Sequence, residues 1–146
     1  NPMKLRIACF EDSADDIRMY EKAFYGHDVE FRFFRDPQED WEISDKIAEE
    51  IVKFSPRFII VDLNDDKRHY QEAGIRTIRQ LRTRAETRHI PVIAFSVYLT
   101  DDSNGRRLIK LAQDMGAKTL LKSRSSFPKA ERFMSLAEAS SDSKWL

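Results

Sequence analysis

The chain carries a single cysteine, Cys9, so no internal disulfide can staple it. That usage suits a reducing compartment, and a cytoplasmic location is expected. An excess of charge of either sign is also missing: Lys plus Arg number 25, and Asp plus Glu number 25. Without a global field, direct binding to nucleic acid or to a membrane surface is not expected. Long apolar runs are lacking too. No stretch approaches the length needed to span a bilayer, and no secretory signal is read at the start. Asn1 and Pro2, ahead of Met3, are read as an appended scar and set aside. What remains is ordinary for a globular protein: 146 residues, 41% apolar and 34% charged, enough for one domain with a real core.

Two kinds of segment alternate. Leu5 to Phe10, Val29 to Phe34, Phe58 to Val61, Val92 to Phe95 and Thr119 to Leu121 are short apolar runs. They are rich in β-branched and aromatic residues, as strands are. Helical patterns lie between them. Ile17, Tyr20 and Phe24 mark the first, which Gly26 can close in a left-handed cap. Asp36-Pro37 is expected to open the second as cap and first-turn proline, with Ile43, Ile47, Ile51 and Phe54 as its buried stripe. Ile75, Ile78 and Leu81 mark the third. Leu108, Leu111 and Met115 mark the fourth, and Pro128 is expected to open a fifth that carries Phe133 and Leu136. Five βα units in a row predict an α/β domain: a doubly wound five-stranded parallel sheet with helices on both faces. The runs Phe58-Ile59-Ile60-Val61 and Val92-Ile93-Ala94-Phe95 do not alternate, as befits strands covered on both sides. The domain is expected to span residues 3–139, with the serine-rich 140–146 as a flexible tail.

Ligands of an open parallel sheet bind at the carboxyl ends of its strands. There the sequence places Glu11 and Asp12 after the first strand and Asp62 after the third. Ser96 follows the fourth, and Lys122 the fifth. Three carboxylates, a hydroxyl and an ammonium thus converge on one edge from four strands. Clustered carboxylates repel, and a hard divalent cation such as Mg²⁺ is the usual remedy. Asp62 is then a plausible nucleophile toward phosphorus, with Ser96 and Lys122 facing the transferred oxygens. A carboxylate directly after four apolar strand residues is costly unless it is paired or bound. Glu11 and Asp12 also suit the positive end of the first helix, where Ser13 and Asp16 resemble a capping box.

The ordered set Phe10-Glu11-Asp12, Ile60-Val61-Asp62-Leu63, Phe95-Ser96 and Leu121-Lys122 resembles the receiver domain of bacterial response regulators. Pro91 before the fourth strand and Met115-Gly116-Ala117 before the fifth fit the same pattern, and the resemblance covers Lys4 to about Ala139. It implies a flavodoxin-like (βα)5 receiver fold and a signalling domain that catalyses its own phosphoryl transfer. By this resemblance Asp62 is the phosphoacceptor, Glu11, Asp12 and Asp62 bind Mg²⁺ with the backbone carbonyl of Asn64, and Ser96 and Lys122 contact the phosphoryl group. The implied partners are a histidine kinase or phosphotransfer protein, and a downstream effector protein or an effector domain outside this sequence.

Some residues depart from the family pattern. The stretch Asp65 to Tyr70 is long and charged where the family has a tight turn; Ser123 rather than proline follows the lysine; and Thr119 holds the usual aromatic switch position. The loop and Thr119 keep open a pseudo-receiver that binds partners without phosphorylation; a separate alternative, ranked last, is a metal-dependent phosphotransfer or nuclease domain of topoisomerase-primase type. The second shares only Glu11 and Asp62-Leu63-Asn64, and does not explain Ser96 and Lys122. His27, His69 and His89 have no ligand spacing. Cys9 reads as a core thiol, Trp41 as a core anchor for the second helix, and Arg79, Arg82, Arg84 and Arg88 as a helix exit.

Overall fold

Each of the five apolar runs forms a strand, and every pairing between strands is parallel. The computed structural model describes residues 4–64, 72–123 and 125–139. Within them the elements are β1 (Leu5–Phe10), α1 (Ala14–Ala23), β2 (Val29–Phe34), α2 (Asp45–Phe54), β3 (Phe58–Val61), α3 (Ala73–Thr83), β4 (Val92–Ser96), α4 (Ser103–Asp114), β5 (Lys118–Leu121) and α5 (Ala130–Glu138). The strand order is β2-β1-β3-β4-β5. The chain therefore winds outward from β1 in one direction and then in the other, as the doubly wound reading requires.

The pleat divides the core in two. Ala8, Phe10, Ile59, Val61, Val92 and Ala94 face one side, where Ile47, Ile51, Ile75, Ile78, Leu81 and Leu108 cover them. Ile7, Cys9, Phe58, Ile60, Ile93 and Phe95 face the other, packed against Tyr20, Phe24 and Phe133. Alternate residues of the same strands thus point to opposite helical layers. All of β3 and β4 is buried, which explains why neither alternates in polarity. Each fully buried large side chain contributes about 1.5–3 kcal/mol over an exposed one.

The register aligns the strand ends. Phe10 lies opposite Val61, and Val61 opposite Ala94, so the residues just beyond β1 and β3 leave the sheet together. Asp62 N–H donates to the Phe10 carbonyl at 3.0 Å, and Lys122 N–H to the Ser96 carbonyl at 3.0 Å.

Several local expectations are corrected. The second helix does not open at Asp36-Pro37. Its N-cap is Ser44, whose hydroxyl accepts the Ile47 N–H at 3.2 Å. Asp36 instead makes a turn, its carboxylate accepting the Gln38 N–H at 2.9 Å. Trp41 is buried in the connection ahead of α2, its Nε1 donating to the Phe34 carbonyl at 2.9 Å and its ring set edge-on to Phe10. Pro128 likewise precedes the fifth helix, whose N-cap is Lys129. In α1 it is Asp16, not Ile17, that is buried with Tyr20. Strands β4 and β5 are each one residue longer than the apolar runs, adding Ser96 and Lys118.

Two residues of the arginine cluster make structural contacts. Arg82 donates to the carbonyls of Arg88, Ile90, Met115 and Gly116, pinning the approach to β4 against the approach to β5. Arg84 pairs with Asp45 and Glu86. The charged stretch 65–70, with His69, and the tail 140–146, with Trp145, lie outside the described residues.

Gly74, near the start of α3, donates its N–H to the Leu63 carbonyl at 3.1 Å. A Cβ there would collide with the Asp62 carbonyl oxygen and the Leu63 Cα, backbone atoms that cannot swing aside. Close approach, not unusual dihedral angles, therefore requires glycine. Gly74→Ala is expected to cost about 1–3 kcal/mol, the usual range for overpacking a tight site. The check is the urea unfolding midpoint, and a midpoint equal to wild type would refute this account of the contact.

Candidate functional site

The site forms where β1, β3, β4 and β5 end and α1 begins. Glu11 and Asp62 follow aligned strand ends and are both buried. Ser13 caps α1, its hydroxyl accepting the Asp16 N–H at 3.2 Å, while its own N–H donates to Glu11 Oε2 at 3.3 Å. This cap turns the chain so that the first turn of α1 faces the end of β5. Lys122, the residue after β5, is 3% exposed, and its ammonium enters the space between the carboxylates.

Lys122 Nζ donates to Glu11 Oε1 at 2.7 Å, to Asp16 Oδ2 at 3.1 Å and to Asp62 Oδ2 at 3.2 Å. It also lies 5.1 Å from the centroid of the Phe95 ring, within reach of a cation–π attraction. Three N–H donors thus meet three carboxylates, which is the full capacity of an ammonium. The second oxygen of Asp62 accepts the Asn64 N–H at 3.3 Å.

Burial and charge pull these groups in opposite directions. Burial pushes the Glu11 carboxyl well above its ordinary pKa, and the neighbouring Asp62 charge adds to this, while Lys122 pulls it back. Burial also raises Asp62, against the opposing effects of Lys122, Glu11 and the Asn64 N–H. For Lys122 burial alone would favour the neutral amine. The charges of Asp62, Glu11 and Asp16 outweigh it and raise the pKa, so the ammonium is held firmly charged. Beneath the cluster, burial raises both the Cys9 thiol and the Tyr20 phenol and keeps them neutral.

The sequence-derived set is largely brought together. Glu11, Asp12 and Asp62 each offer a carboxylate oxygen, all within 4.8 Å of one another. Clustered hard oxygen donors of this kind fit a divalent cation such as Mg²⁺. Asn64 is buried next to them, and Lys122 is in direct contact with two of the three. Ser96 is buried at the end of β4, on the same edge, and its hydroxyl accepts the Tyr98 N–H at 3.2 Å.

One member escapes the sequence reading. Asp16 reads in sequence as part of a helix cap, yet its carboxylate is buried against Lys122, 106 residues away. The available signal is helical spacing: Asp16 lies four residues before Tyr20, on the stripe that faces the sheet.

Removing Lys122 leaves buried carboxylates without their cation. Lys122→Met is expected to destabilise the metal-free protein at neutral pH by about 3–5 kcal/mol. The loss has a definite pH dependence. Glu11 and Asp62 have raised pKa values in the folded state, so folding takes up protons between the ordinary carboxylate range and those raised values. Their contribution is complete below the unfolded pKa and is lost as pH rises through the folded one. Metal-free wild type should therefore lose stability as pH climbs out of the carboxylate range toward neutrality, and Lys122→Met should lose more. Urea unfolding at a series of pH values measures both slopes; equal slopes in the two proteins would contradict this electrostatic account.

No protein-family model and no curated protein sequence matches the chain. Solved structures do. A response regulator receiver domain from Rhodospirillum rubrum is 23% identical, covers 90% of this chain and 92% of its own, and superposes with a TM-score of 0.66. The chemotaxis protein CheY4 of Vibrio cholerae is 16% identical, with 92% and 97% covered and a TM-score of 0.63. The phosphorylated cyanobacterial phytochrome response regulator RcpA is 20% identical, with 84% and 83% covered and a TM-score of 0.60. Five parallel strands in this order, five helices and these likenesses together show that the chain has the flavodoxin-like fold of response regulator receiver domains.

Proposed function

We propose that this chain is a phosphoacceptor receiver module of two-component signalling, in which Mg²⁺-dependent phosphorylation of Asp62 alters partner binding. The observation that carries this reading is the position of the Asp62 carboxylate. It is hydrogen-bonded to a buried ammonium and lies beside two further carboxylates able to share a cation. Fold alone does not specify function; the composition of the strand-end site supplies the argument. That one structure of similar fold is a phosphorylated response regulator supports it as well.

In this reading an Asp62 carboxylate oxygen attacks the phosphorus of a phosphohistidine or an acyl phosphate. The new P–O bond forms as the bond to the leaving group breaks. Imidazole, taking up a proton, or the carboxylate of the acyl donor departs. Lys122 holds positive charge at the oxygens of the transferred group, and the Ser96 hydroxyl offers them a donor. Glu11, Asp12 and Asp62, with the Asn64 backbone carbonyl, would hold Mg²⁺, which when bound supplies the positive charge that offsets the phosphoryl oxygens. The module is a signalling domain acting once on itself rather than a turnover enzyme. It extends over residues 3–139, acts in the cytoplasm, receives its phosphoryl group from a histidine kinase or phosphotransfer protein, and passes its state to an effector. Among the described residues no helix is long and apolar enough to cross a membrane.

A specific observation also favours a second reading, the pseudo-receiver. Lys122 already pairs with three carboxylates of the cluster, so the fold gives its acidic edge an internal cation. A domain of that kind would bind partners without being phosphorylated.

Two measurements separate the readings. Intact-mass analysis after incubation with acetyl phosphate should show one added phosphoryl group with Mg²⁺ and none without it, and Asp62→Asn should abolish the gain. Equal labelling of the Asp62→Asn variant would rule out the acceptor. Thermal melting should shift upward with millimolar Mg²⁺, because a ligand binding only the native state adds stability by mass action. Asp12→Ala should remove most of that shift, whereas a melt indifferent to Mg²⁺ supports the pseudo-receiver.

A further inference from the structure

Asp16 is the one carboxylate on Lys122 that stands outside the cation-binding trio. Its side chain is buried, its Oδ2 lies 3.1 Å from Lys122 Nζ, and its backbone is fixed by the Ser13 cap. Glu11 and Asp62, the other two partners of Lys122, belong to the trio whose oxygens cluster within 4.8 Å.

That division gives Asp16 a separate part in the chemistry. An ammonium has three N–H donors, and here each faces a carboxylate. A phosphoryl oxygen can be contacted by Lys122 only if one of the three gives way. A divalent cation shared by Glu11 and Asp62 draws charge from their oxygens and weakens their pull on Lys122. Asp16 lies outside that trio, so its carboxylate is not shared with the cation. It also adds a buried negative charge beside the place where a phosphoryl dianion must settle, and like charges so close are costly in a water-poor site. We propose that Asp16 is a positioning residue that competes with the phosphoryl group for the Lys122 ammonium. It thereby favours cation binding in the resting state and weakens the phosphorylated one. This rests on the receiver reading of the site.

The test uses Asp16→Asn, which keeps size and a hydrogen-bond acceptor but removes the charge, with Asp16→Ala as a second charge-free variant. Calorimetric titration measures the Kd for Mg²⁺ alone and then, at saturating Mg²⁺, the Kd for beryllium trifluoride, a tetrahedral phosphoryl analogue that a carboxylate oxygen binds. The two constants should move in opposite directions in either folded variant. Mg²⁺ should bind more weakly and beryllium trifluoride more tightly, each by about fivefold, the low end of coupling between neighbouring sites. A merely structural role for Asp16 would weaken both together. Either that result or two unchanged constants overturns the proposal while leaving the receiver reading in place. If wild type itself binds neither probe, the receiver reading fails and this inference fails with it.

Discussion

A buried ammonium surrounded by three carboxylates makes the end of this sheet possible. Lys122 joins the end of β5 to the ends of β1 and β3 and to the first turn of α1, across sequence separations of 60 to 111 residues. Removing Lys122 would strand three carboxylates in a poorly solvated place, so the cluster depends on its one ammonium. Its net worth to stability is small, because desolvation offsets most of the Coulombic attraction. What it contributes instead is a fixed, electrostatically polarised cluster at the carboxyl edge of the sheet.

The apolar sheet makes the cluster geometrically reliable. Side chains of β1, β3 and β4 fill the helical layers on both faces, so sliding any strand by one residue would exchange the two sets and disrupt both cores. Register is therefore strongly specified, and with it the depth of Glu11, Asp62 and Ser96 at the carboxyl edge. Gly74 adds a second constraint by letting the start of α3 close onto the Asp62 backbone. Trp41 and Arg82 act at a distance. Trp41 seals the connection before α2, and Arg82 ties together the two approaches to β4 and β5. Arg82 thereby fixes the two strands that lead to Ser96 and Lys122, and Trp41 packs on Phe10, the last residue of β1.

The similarity to solved receiver domains extends over nearly the whole chain at sequence identities of 16 to 23%. At that distance shared architecture reflects the common solution for covering a parallel sheet, and the chemistry must be argued from side chains. Here the side chains divide naturally. Glu11, Asp12 and Asp62 supply hard oxygens, Lys122 supplies the positive charge, and Ser96 supplies a hydroxyl at the rim. Asp16 is the further carboxylate on Lys122. It gives the ammonium a third carboxylate partner, one that lies outside the trio of clustered oxygens.

Strands, and the residues that cap their ends, are legible in the amino-acid order alone. Unbroken apolar runs such as Phe58 to Val61 and Val92 to Phe95 report burial on both faces, and the polar residue after each run reports where the sheet stops. Those signals are local, so Asp62, Ser96 and Lys122 could be placed without a structure. Helix starts were less legible, because Asp36-Pro37 and Ser44 are both good caps. The choice was made by burial of Trp41, which holds residues 36–44 as a turn against the core. For Asp16 the sequence offers only helical spacing toward the sheet, not the partner it meets there. Its backbone N–H answers to the Ser13 hydroxyl three residues away, whereas its side chain answers to Lys122, 106 residues away. Only the folded arrangement could decide that pairing: it depends on strand register, on the direction of α1 and on the reach of a lysine side chain, none of which is encoded within a single segment.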